Sequence, residues 1–131
     1  MKRNYEKEAE KFVELYEKEI GHKTWKPKKK IGCDLISSGG YYIEVKSWNK
    51  PKPPSFIEVY ETIFEHLNKT KKKESAYYIY IVYDFLHGPK LIRIPPSKQK
   101  WNRLKIRILK GSSYKNIKPI NISKYKKRVM E

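Results

Sequence analysis

The chain has 131 residues, of which 31 are Lys or Arg and 14 are Asp or Glu, for a formal net charge of +17. That length suits one domain with a modest core, and that charge selects polyanions as partners, nucleic acid above all. A single cysteine excludes an internal disulfide framework and any multi-cysteine zinc site; with no signal-peptide pattern and no membrane-length apolar run, the expectation is an intracellular, cytoplasmic protein with no membrane partner.

Tyr5, Ala9, Phe12, Val13, Tyr16 and Ile20 recur at helical spacing and predict a first helix, stopped at Gly21. Basic residues follow, with a short strand around Trp25 ending at Pro27. Ile31 to Ser37 and Tyr41 to Ser47 read as a hairpin about Ser38-Gly39-Gly40. Strand alternation puts Cys33, Leu35, Ile43 and Val45 on one side and Asp34, Glu44 and Lys46 on the other. After a proline-rich connection, Ser55 and Glu58 form a capping-box pattern. They predict a second helix with Phe56, Tyr60, Ile63, Phe64 and Leu67 as its apolar stripe. The polar run from Asn68 to Ser75 ends it. Ala76 to Tyr83 is apolar at nearly every position and predicts a strand buried on both faces. Leu91 to Ile94 predicts another strand, and Leu104 to Leu109 an edge strand whose Lys105 and Arg107 make a basic face. From Lys98 onward there are 12 basic residues and one acid. A division follows: a core over residues 1–97, and a basic extension over 98–131 packed on or continuing the same domain.

The chemistry concentrates in the hairpin. Charges threaded through apolar strands are costly unless they have a partner or a task. Asp34 and Glu44 offer hard oxygen ligands to a divalent cation, and Lys46, two residues beyond Glu44, projects from the same face. Two carboxylates and an ammonium around one cation are a reasonable kit for phosphodiester hydrolysis. His22, His66 and His87 lie far apart and show no ligand spacing. There is no Ser-His-Asp pattern and no glycine-rich phosphate loop.

With Gly32-Cys33-Asp34-Leu35 followed ten residues later by Glu44-Val45-Lys46, the order helix, strands, helix, strand resembles the restriction-endonuclease-like PD-(D/E)XK nuclease superfamily. Within it the chain is most similar to the No Vein C-terminal-type domains, through the GxDL-S and YIEVK-S patterns and the tyrosine-rich YYIYIVYD strand. The likeness runs from about Glu6 to Ile94. The proline of the superfamily motif is replaced by Cys33. The resemblance implies an α/β fold with a mixed central sheet flanked by helices. It implies a nuclease in which Asp34, Glu44 and the Val45 carbonyl hold Mg2+ or Mn2+, Lys46 assists the attacking water, and products carry 5′-phosphates. A first-helix acid often joins such sites. Glu10 is the choice here and Glu6 the alternative, most of the helix's other glutamates reading as solvated; Glu61 is a weaker candidate.

For nucleic acid, with DNA favoured over RNA, the candidate contacts are Lys26, Lys28, Lys29 and Lys30 before the Asp34 strand. Lys105, Arg107, Lys124, Lys126, Lys127 and Arg128 follow further on, with Trp48 or Trp101 available for stacking. A homodimer is plausible for an enzyme that must cut two strands. The competing readings are a nuclease-fold module that binds without cutting, a metal-independent ribonuclease, which would want a close His pair or His-Glu pair, and a basic structural subunit.

Overall fold

The computed structural model describes residues 3–70, 76–101 and 106–130. A helix α1, Tyr5–Glu19, opens the chain; the Asn4 side chain caps it by accepting from the Lys7 N–H at 3.1 Å. Gly21, at φ +94°, terminates it as expected. Then come β1 (Thr24–Trp25), β2 (Leu35–Ser37), β3 (Tyr41–Trp48), β4 (Phe56–Tyr60) and α2 (Thr62–Lys69). The second half holds β5 (Tyr77–Tyr83), β6 (Lys90–Ile94), β7 (Ile106–Lys110), β8 (Ile120–Asn121) and α3 (Lys126–Met130).

Six strands form one mixed sheet in the order β1-β2-β3-β5-β6-β8. Among the described strands only β3 and β5 run parallel, Tyr42 opposite Tyr77 through Trp48 opposite Tyr83. That pairing needs a crossover, and β4 with α2 supply it. β5 is the fully covered strand expected from its composition, with Tyr77, Ile79, Tyr80, Ile81 and Val82 all buried. On one face Ile43, Tyr80 and Val82 pack against Ala9, Phe12 and Val13 of α1 and against Val129 of α3. On the other, Tyr42, Ile79, Ile81 and Tyr83 pack under Ile63, Phe64 and Leu67 of α2 and Ile57, Val59 and Leu109 of the β4–β7 pair.

The helix expected from Ser55 is not there. Phe56–Tyr60 is a strand, antiparallel to β7 with Phe56 opposite Lys110 and Tyr60 opposite Ile106. Its burial alternates, Ile57 and Val59 inward and Phe56, Glu58 and Tyr60 outward. That period-two pattern in β-favouring residues outweighs the capping box once β7 supplies a ladder. Ser55 is used differently: its carbonyl accepts from the Gly111 N–H at 2.7 Å. The helix begins only at Thr62.

The basic strand face is also corrected. Lys105 lies outside the described residues, as do residues 71–75 of the polar run. Arg107 is buried, its guanidinium 3.7 Å from the centre of the Phe64 ring. It serves as a cation–π lid on the core rather than as surface charge. Past residue 98 the chain returns to both layers. β7 completes the β4 ladder, β8 adds to the sheet edge at β6, and Tyr125 and Val129 bury against the α1 side.

Candidate active site

The hairpin register pairs Leu35 with Ile43, so one further step brings Asp34 beside Glu44. The ladder changes character there. The Asp34 N–H donates to the Ile43 carbonyl at 2.9 Å, and the Asp34 carboxylate Oδ2 accepts from the Val45 N–H at 2.7 Å. That contact pins the acid against the middle of the Glu44-Val45-Lys46 triplet. Gly32 sets the approach. It adopts φ +88°, and a Cβ there would stand 2.5 Å from the Ile63 backbone nitrogen. Only glycine lets this turn sit directly on the start of α2.

Glu44, Lys46 and Trp48 follow Tyr42 along one face of β3, and Lys46 Nζ lies 3.5 Å from Glu44 Oε2. Their side chains are 29% and 13% exposed, respectively, so this is a half-sheltered pair. Burial pushes the Glu44 carboxyl well above its ordinary value, and the hydrogen-bonding contact and charge of Asp34 push it further. Lys46 opposes the shift without cancelling it. Glu44 thus keeps an unfavourable neighbour in Asp34 that Lys46 does not fully balance.

A cleft of about 690 Å³ opens over them, lined by the acids Glu10, Asp34 and Glu44 together with Lys26, Lys28, Lys29 and Lys30. Glu10 Oε1 is 3.6 Å from Lys26 Nζ. Its carboxyl is raised by burial and then by the Asp34 charge, against the pull of Lys26. Of the first-helix candidates, Glu10 therefore faces the acid pair, whereas Glu6 is exposed and absent from the cleft lining. Glu61 stands at the N-terminus of α2, outside that lining. Tyr60 and Thr62 do line the cleft. Tyr60 reads as part of a helical stripe if a helix starts at Ser55, whereas the alternation in Phe-Ile-Glu-Val-Tyr turns it outward; no local signal marks Thr62, the first residue of α2.

Cys33 shares the cleft but is no nucleophile. Burial, then Glu44 and Asp34, push its thiol up to about 12. It also leaves the Leu35–Ile43 side on which strand alternation put it, packing instead against the core beneath α2. Lys126, Lys127 and Arg128 are exposed on α3, which lies against α1, and none lines the cleft. Lys124 pairs with Glu19 at 2.6 Å. Trp101 packs edge-on against Phe64 at 5.3 Å between ring centres, a core role.

The donor set fits a hard cation such as Mg2+ or Mn2+. Among the described residues no three His, Cys, Asp or Glu side chains form a ready-made metal cage. Mg2+ does not ask for one, because it commonly takes one or two carboxylates and completes its shell with water and substrate phosphate oxygens. Asp34 and Glu44, with the Val45 backbone between them, offer that kind of partial shell.

A second polar cluster escaped the sequence reading. Glu17 is fully buried, accepting from Ser37 Oγ at 2.7 Å, from Tyr41 Oη at 2.6 Å and from Tyr80 Oη. His22 Nδ1 lies 3.2 Å from the same carboxylate, and Arg93 donates to the Tyr80 and Tyr41 hydroxyls at 2.8 and 3.2 Å. This network ties α1 to the sheet two helical turns from Glu10.

The architecture matches the solved structure of Hjc, a Holliday junction resolvase from the hyperthermophilic archaeon Archaeoglobus fulgidus, with a TM-score of 0.56 over 95% of this chain and 97% of that chain. Sequence identity is 9%, so the likeness is one of fold, and the fold is restriction-endonuclease-like. No curated protein matches the chain at the level of sequence. The family model described as Protein NO VEIN, C-terminal matches residues 3–94, from the start of α1 through the Asp34 turn and the Glu44–Lys46 strand to the end of β6. On that span, most of the chain's length, the protein belongs to the NO VEIN C-terminal family.

Proposed function

We propose that the protein is a metal-dependent nuclease hydrolysing phosphodiester bonds of nucleic acid, DNA in preference to RNA. One observation carries this reading: Asp34 and Glu44 lie together on adjacent strands, Asp34 held by the Val45 N–H and Glu44 3.5 Å from Lys46, at a cleft lined by four more lysines. Membership of a nuclease fold supports it.

In this mechanism Asp34, Glu44 and the Val45 carbonyl would hold the cation, Mg2+ or Mn2+. A cation so held supplies Lewis acidity to the scissile phosphate and to the attacking water. Lys46 orients that water and stabilises charge developing on the phosphoryl oxygens. Glu10, which lines the same cleft, would take up a proton or help to hold the cation. Lys26, Lys28, Lys29 and Lys30 hold the flanking phosphates, a backbone contact without sequence preference. A homodimer would give each strand of a duplex its own site.

The second reading, a nuclease fold that binds without cutting, draws on the Glu44–Lys46 ion pair, which already gives one of the two acids a partner. Cleavage separates the two. Labelled single-stranded, duplex and Holliday-junction DNA, and RNA, are incubated with the full chain in Mg2+ or Mn2+, with EDTA controls. The junction belongs in the panel because the structural neighbour is a Holliday junction resolvase. Metal-dependent cutting that disappears in Asp34→Asn and Lys46→Ala supports the nuclease. Salt-sensitive binding with no cutting of any substrate supports the binding module.

A further inference from the structure

Beyond Lys46, β3 ends on Trp48, which shares a face with Glu44 and Lys46 and is 38% exposed. Two residues of strand advance about 6.6 Å, roughly one nucleotide of an extended strand. Trp48 and Lys46 line a separate pocket of about 300 Å³ with Phe56 and Glu58 of β4. The outward face of β4 then runs from Phe56, 52% exposed, past Glu58 to Tyr60, 64% exposed. Tyr60 lines the Asp34–Glu44 cleft. Large aromatics therefore stand open to solvent at both ends of the candidate site. Glu44 lines the cleft and Lys46 the pocket, and the two side chains pair at 3.5 Å.

Exposed aromatics are usual on a protein surface singly; a row of them continuous with a basic cleft is a different matter. The chemistry of this row selects its ligand. Lysines stand at its margin, Lys46 in the pocket and Lys110 opposite Phe56, but between them the row is aromatic and acidic, and Glu58 repels phosphate while being able to accept from the amino group of a base. The aromatic faces offer stacking surfaces, which every nucleobase can use. A paired base hides both its faces in the duplex stack. The surface therefore suits bases that are already unpaired, with the backbone held across the cleft by Lys26 and its neighbours.

Resting on the nuclease reading above, we propose that Trp48 and Phe56 form a base-stacking subsite beside Lys46, which makes a single-stranded segment of nucleic acid the preferred ligand at the scissile position. Stacking on such a residue typically changes affinity by about five- to a hundredfold per base. The subsite is absent from the metal-binding machinery, so binding reports on it without any cleavage.

The test is fluorescence anisotropy of the full chain with labelled oligothymidylate and with a blunt hairpin duplex, in EDTA. Trp48→Ala and Phe56→Ala are measured with Trp48→Phe, which keeps an aromatic face. The expected result is a loss of at least about fivefold for oligothymidylate in each alanine variant. The duplex should change by less than about twofold, and Trp48→Phe should recover most of the affinity. Equal losses on both ligands, or none on either, overturn the subsite while leaving the nuclease reading intact. Sedimentation supplies the other occupant: a wild-type dimer that Phe56→Ala dissociates, with oligothymidylate affinity unchanged, assigns the face to a second copy of the chain and overturns the proposal. A wild-type protein that binds neither ligand overturns both readings together.

Discussion

Glu17 and Glu44 are both glutamates drawn into the interior, and the sheet treats them in opposite ways. Glu17 is fully buried, where desolvation alone would raise its carboxyl. Hydroxyls of Tyr41, Tyr80 and Ser37, together with His22, more than offset that cost and bring it below its ordinary value of 4.5. Glu44 is less buried, yet Asp34 adds to its desolvation and Lys46 compensates only in part, so it ends well above that value. A carboxylate kept for structure is surrounded by donors. One beside another acid, under an open cleft, is left without that compensation.

The largest effect that sharpens this contrast is on turnover. Lys46→Ala should slow single-turnover cleavage by about 10²–10³-fold with nucleic-acid affinity within about twofold of wild type. Turnover unchanged in that variant would remove Lys46 from the mechanism.

Stability should respond in the other region. Glu17→Leu leaves three hydroxyls and, behind them, Arg93 facing an apolar side chain, and should cost about 3–5 kcal/mol in urea denaturation. Glu44→Gln removes a repulsion and should leave the denaturation midpoint of the metal-free protein unchanged or higher. Equal destabilisation by both substitutions would dissolve the distinction between the two acids.

The pH dependence carries opposite signs. Glu17 has a folded value below its unfolded one, so its contribution is complete above pH 4.5 and is lost as pH falls through the depressed folded value. Glu44 has a raised folded value, so in metal-free protein stability declines as pH rises from 4.5 through that value. Thermal melts across this range should show the acid-side loss vanish in Glu17→Gln and the second decline vanish in Glu44→Gln.

A smaller effect belongs to the turn that carries Asp34. Gly32→Ala meets both the left-handed backbone and the Ile63 nitrogen, and should cost about 1–3 kcal/mol by the same denaturation measurement. A neutral result would mean that the turn and α2 separate easily.

Much of this could be read from the chain alone, where the signal is local. The α1 stripe, the glycine turn between β2 and β3, and the β5 run each state their own period, and Asp34, Glu44 and Lys46 stand side by side because a hairpin joins them. What was hidden depends on distant partners. Phe56–Tyr60 becomes a strand because Ile106–Lys110 lies alongside it, and nothing near Ser55 announces that pairing. Arg107 reads as surface charge until Phe64 is known to lie beneath it. Glu17 reads as one more solvated glutamate of α1, since its donors come from β2, β3 and β5. Tyrosines at positions 41 and 80 look like apolar filler by pattern. Their hydroxyls are the reason a glutamate can be buried behind them.

The account turns on whether the acid pair takes a cation, and Mn2+ binding followed by electron paramagnetic resonance tests that most directly. Wild type, Asp34→Asn and Glu17→Gln would be titrated without nucleic acid and then with oligothymidylate present. The account predicts a bound ion in wild type, its loss in Asp34→Asn and its retention in Glu17→Gln, with oligothymidylate tightening the wild-type site. Equal binding by wild type and Asp34→Asn, or no bound ion in wild type under either condition, would contradict it.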